Sequence, residues 1–133
     1  VWRVGIELPD ADISFGEALF EGKILGLNKM AVASSGSYRN FREDEGGNKI
    51  SHIIDPRSGY PVRNGLVSLT VLAETCIEAD ALATAIFVLG SDEGLALVNR
   101  LENTEVLLVK EKAGGGFNSE MSSGFKDYLY QKK

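Results

Sequence analysis

Apolar and polar residues alternate in short runs through the first half of the chain, and each run ends at a turn-forming cluster. Residues 2–8 (WRVGIEL), 17–27 (EALFEGKILGL), 29–35 (KMAVASS), 37–43 (SYRNFRE) and 49–55 (KISHIID) therefore read as strands. DEGGN, residues 44–48, supplies glycines for a hairpin connection between the last two. Within 49–55 the period of two puts Ile50, His52 and Ile54 on one face, with Ser51 and Ile53 on the other. DPRSGYP then interrupts the run with Pro56, Gly59 and Pro61, and LVSLTVLA (66–73) follows as a strand with Val67, Leu69, Val71 and Ala73 on its apolar face.

The second half changes period. Thr75 and Glu78 are spaced as a capping box, which opens a helix that Gly90 closes. Ser91 reads as the cap of a second helix, in which Leu95, Val98 and Leu101 form one buried stripe. A strand at 104–110, a glycine turn at 113–116 and a short strand or loop from Phe117 complete the pattern. Strand runs precede a helical pair instead of alternating with helices. The fold class is therefore α+β, a mostly antiparallel sheet packed against two consecutive helices.

The 133 residues amount to one domain, able to bury about two-thirds of the unfolded surface. Fourteen basic against nineteen acidic residues leave a formal charge of −5, which argues against nucleic acid as a partner. No apolar run approaches the roughly 20 residues of a membrane span. The single cysteine, Cys76, precludes an internal disulfide; in the first helical turn it reads as a packed thiol. VWRVGIELP starts as a strand already under way, so the chain is expected to be a piece of something longer.

Asp80 and Thr84 are four apart, so their oxygens project from one helical face, with Ala83 beside them. A carboxylate and a hydroxyl there make a hard-oxygen pair of the kind Mg²⁺ accepts when phosphate and water complete its shell. The same spacing equally serves Asp80 complementing the helix dipole and Thr84 bonding back to the Asp80 carbonyl. His52, the only histidine, either packs structurally or, beside a Pro/Gly turn, acts as a base near neutral pH. AVASSGSYRNF (31–41) ends in a turn rich in hydroxyls and N–H groups, fit either to cradle phosphate or to be an ordinary turn. KAGGGF has neither nucleotide-binding glycine spacing and reads as a hairpin connection.

AVASSGSYRNF, SHIIDPRSGYPV and EADALATAIFVLG, in that order, resemble the ApbE family of FAD:protein FMN transferases, once named thiamine biosynthesis lipoproteins. The likeness covers essentially the whole chain, which corresponds to the C-terminal part of that family's proteins. The resemblance implies that His52 activates an acceptor hydroxyl, that Ile54 touches FAD through its main chain, and that Asp80 and Thr84 ligate Mg²⁺. Ala83 falls where some relatives place a further ligand, often aspartate; alanine offers only its carbonyl. Ser37 departs from the aspartate many relatives carry after the Ser-Gly pair.

The implied reaction is attack of a Ser/Thr hydroxyl of an acceptor protein on the FMN-side phosphorus of FAD, releasing AMP. Two other readings stand beside it: Mg²⁺-dependent hydrolysis of FAD to FMN and AMP, and a non-enzymatic flavin-binding domain. The resemblance also implies a parent exported to the periplasmic side of the inner membrane, touching the membrane only through a lipid anchor upstream of this chain.

Overall fold

The computed structural model describes residues 1–131. Ten strands and two helices follow in the order β1 (Trp2–Glu7), β2 (Leu19–Leu27), β3 (Ala31–Gly36), β4 (Phe41–Glu43), β5 (Lys49–Ser51), β6 (Ile54–Asp55), β7 (Tyr60–Pro61), β8 (Leu66–Ala73), α1 (Cys76–Leu89), α2 (Ser91–Val98), β9 (Glu105–Glu111) and β10 (Phe117–Met121). A 3-10 turn at Phe125–Tyr128 closes the described chain. All strand pairs are antiparallel: a four-stranded sheet in the order β10-β9-β8-β3, and the pairs β1-β2, β4-β5 and β6-β7. This is the α+β arrangement expected, with α1 against β3 and β8 and α2 against β9.

The four-stranded sheet is buried on both faces, which is why its central strands are apolar almost throughout. Along β9, Val106 and Leu108 face the helices while Leu107 and Val109 face the β1-β2 pair and Phe125. The helix-side core adds Ala83, Ile86 and Phe87 from α1; with Ala79, these buried residues follow helical spacing along one stripe.

In β8 the expected single apolar face does not hold. The register slips between Leu66 and Ser68, so two residues of β8 oppose one step of β9. This bulge switches the phase of the strand. Leu66, Leu69 and Val71 pack into the helix-side core, whereas Val67 packs with Leu72 in the other.

The Thr75 capping box forms, with Glu78 N–H donating to Thr75 Oγ1 at 3.3 Å and Thr75 N–H to Glu78 Oε2 at 3.2 Å. Ser91 does not cap α2. Gly90, at φ 86°, ends α1 and begins α2, and the Ser91 hydroxyl is buried without a partner among the described residues. Few residues other than glycine adopt that φ. With α2 ending at Val98, Leu101 lies beyond the helix and is exposed.

Candidate active site

The strand expected over 49–55 is broken. β5 ends at Ser51 and β6 begins at Ile54, leaving His52 in a bend between them, exposed, and Ile53 against the helix-side core. Two bonds hold the break: Ser51 Oγ accepts from Ile53 N–H at 3.1 Å, and the Ile53 carbonyl accepts from Val62 N–H at 2.9 Å. The chain therefore turns from its β4 partner to a new one, and the imidazole projects at the change of direction.

A hollow of about 500 Å³ opens beside it, walled by Ser34, Ser35, Gly36, Asn40, His52, Ile53, Ile54 and Thr84. Four elements meet there: the end of β3, the turn before β4, the His52 bend and the middle of α1. Ser34 is held by its hydroxyl to Thr70 Oγ1 across the β3-β8 ladder at 2.9 Å.

His52 Nδ1 lies 2.8 Å from the main-chain oxygen of Asn40. A carbonyl only accepts, so this bond assigns the ring proton to Nδ1 and leaves the Nε2 lone pair available as a base. Asn40, as the partner of His52, gave no signal in the sequence beyond lying in the SSGSYRN turn.

Ile54 lines the hollow with a half-exposed side chain, and its main chain is also favourably turned. The bond between Val62 N–H and the Ile53 carbonyl makes Ile54 and Pro61 the non-hydrogen-bonded pair of the β6-β7 ladder. The Ile54 N–H and C=O therefore point away from β7.

On α1, Thr84 is a wall of the hollow, while Asp80 sits one turn nearer the cap and outside that wall. Both are exposed. The side-chain hydrogen bonds to α1 among the described residues lie at its ends: the Thr75-Glu78 cap, Asn64 to the Phe87 carbonyl, and Arg57 to the Val88 carbonyl. Asp80 and Thr84 take part in none of these. Two solvent-exposed oxygen donors of this kind fit a Mg²⁺ ion that keeps water and phosphate in its remaining positions. Ala83 points its methyl into the core, so only its carbonyl is left as a donor. No cluster of three or more His, Cys, Asp or Glu capable of holding a metal occurs among the described residues. Cys76, expected to be packed, is exposed at the first position of α1.

The turn after His52 is strapped to the helix. Arg57 pairs with Asp55 at 2.9 Å and reaches the Val88 carbonyl at 3.4 Å. Its side-chain hydrogen bonds, with its own N–H, hold the Asp55 carboxyl below the ordinary carboxylate range.

An imidazole on a strand-derived bend and a threonine of the helix thus line one hollow of an α+β fold. The ApbE family model matches residues 1–108, and the chain belongs to that family. It is 41% identical over 125 residues to the FAD:protein FMN transferase of Haemophilus influenzae, covering 94% of this chain and 34% of that protein. Among solved structures, Flavin Transferase ApbE from Vibrio cholerae superposes with a TM-score of 0.74 at 36% identity, over 96% of this chain and 38% of the other. The Pseudomonas stutzeri flavinyl transferase ApbE, in its apo form, gives 0.75 at 34% identity, over 99% and 38%. The chain thus spans about a third of the length of the curated relatives it matches.

Proposed function

We propose that this chain is the C-terminal part of an FAD:protein FMN transferase and carries its base. A Ser/Thr hydroxyl of the acceptor protein attacks the FMN-side phosphorus of FAD. The new P–O ester forms as the pyrophosphate P–O bond breaks, AMP leaves, and the hydroxyl proton passes to His52 Nε2. Such a base contributes roughly 10²- to 10⁴-fold. Asp80 and Thr84 would hold Mg²⁺, which when bound neutralises charge on the pyrophosphate. The outward-turned main chain of Ile54 offers a donor and an acceptor to the FAD.

One observation supports the reading: in a member of this family, His52, with its Nδ1 engaged by the Asn40 carbonyl, and Thr84 line the same hollow. The exposure of His52 also favours a second reading, in which water replaces the acceptor and FAD is hydrolysed to FMN and AMP. Incubating the full-length protein with FAD, Mg²⁺ and candidate acceptors distinguishes them: transfer leaves an acid-stable flavin on the acceptor, hydrolysis releases FMN without one. His52→Ala is expected to lower transfer by roughly 10²- to 10⁴-fold, and Asp80→Ala to abolish its Mg²⁺ dependence. Retention of full transfer by His52→Ala would refute the base, and unchanged Mg²⁺ dependence in Asp80→Ala the metal site.

A further inference from the structure

The His52 tautomer depends on where the Asn40 carbonyl sits, and the two residues before Asn40 are held from outside the hollow. The Glu7 carboxylate, at the end of β1, accepts from the Tyr38 hydroxyl at 2.7 Å, from Arg39 Nη2 at 2.5 Å and from Gly16 N–H at 3.2 Å. Arg39 also reaches the Ile13 carbonyl at 3.4 Å and lies over the rings of Phe15 and Tyr38, 5.7 and 5.5 Å from their centroids. Tyr38 is fixed from its other side as well, because its ring crosses Gly36 where a Cβ would stand. The two residues preceding Asn40 are thereby anchored to β1, a strand outside the four-stranded sheet. Partial burial acts to raise the Glu7 carboxyl, but the hydrogen bonds from Tyr38, Arg39 and Gly16 outweigh it and leave Glu7 below its ordinary value.

We propose that Glu7 is a positioning residue: through Tyr38 and Arg39 it holds the Asn40 carbonyl that keeps the His52 proton on Nδ1 and the lone pair on Nε2. The inference rests on His52 being the base, but its test does not. Because the chain contains one histidine, the imidazole tautomer can be read without overlap from ¹⁵N-histidine two-bond correlation spectra. The measurement is made at alkaline pH, where the ¹⁵N shifts of the ring themselves report the neutral form.

The native chain is expected to show predominantly the Nδ1–H form. Glu7→Ala should lower the ratio of Nδ1–H to Nε2–H about fivefold, the bias one hydrogen bond supplies. Where Glu7→Ala loses its dispersed amide spectrum, Tyr38→Phe combined with Arg39→Leu removes both donors while keeping the ring on Gly36, and the same fall is expected. A native chain dominated by Nε2–H, or a folded variant with an unchanged ratio, would overturn the proposal. In the full-length transferase the same substitutions should lower kcat while KM for FAD stays within about twofold, the signature of a lost transition-state contribution. A kcat that did not fall would equally count against Glu7. The base itself stands or falls separately, on His52→Ala.

Discussion

Replacing Gly36 with alanine tests the packing that places the SSGSYRN turn. A Cβ built there lies 2.7 Å from Tyr38 Cε1, 2.9 Å from Cδ1 and 3.0 Å from the Val67 carbonyl oxygen. Separations this short force a shift. The ring cannot swing aside freely, because its hydroxyl donates to Glu7. Overpacking of this kind costs about 1–3 kcal/mol, and releasing the Tyr38 hydroxyl from a carboxylate costs about 1.5 kcal/mol more. We expect Gly36→Ala to destabilise the chain by about 2.5–4.5 kcal/mol, a fall in Tm of roughly 9–16 °C for a domain of this size. Urea and thermal unfolding followed by far-UV circular dichroism would measure it. In a Tyr38→Ala background the same substitution loses its two nearest obstacles and keeps the Val67 oxygen, so the double-mutant cycle should give a coupling of about 1–2 kcal/mol. A cost below about 0.5 kcal/mol, or one identical in both backgrounds, would refute the account.

Acid should loosen the same region. The carboxyls of Glu7, Asp44 and Asp55 are all held below their ordinary values in the folded chain. A group depressed on folding contributes stability that is full above its unfolded pKa, near 4, and is lost as pH falls through the folded one. Tm should therefore be flat from pH 7 to about 5 and fall below about 4, and a Tm insensitive to that interval would contradict the sign. Thr75→Ala removes the acceptor for Glu78 N–H and the donor to its carboxylate, with an expected loss of about 1 kcal/mol in urea melts; no loss would show that the cap is redundant.

What could be read beforehand was what short-range physics determines. The Thr75-Glu78 box needs only two residues three apart, and α1 appears where the box predicts. DEGGN forms its hairpin because Asp44 accepts from Gly46 and Asn48 N–H within the turn itself. Deviations arise where a distant partner outweighs the local pattern. Alternation alone would carry a strand through His52, but Val62 recruits the Ile53 carbonyl and ends it. Alternation likewise places Val67 with Leu69, and only pairing with β9 produces the slip that separates them. His52 stood out by being the single imidazole, whereas Glu7 lies 31 residues from Tyr38 and nothing in either stretch announces the contact.

The irregular step at Val67 makes β8 unequally tolerant of changes in length. Leu66 stands opposite Lys110 and Ser68 opposite Val109, consecutive positions on the neighbouring strand. Excising Val67 would leave those facing partners in place and keep Leu66 and Leu69 on their present side, sacrificing the bond from Ser37 N–H to its carbonyl. Excising a residue elsewhere along the strand would turn one portion of it inside out. Lineages that differ by one residue in this stretch should carry that difference at Val67.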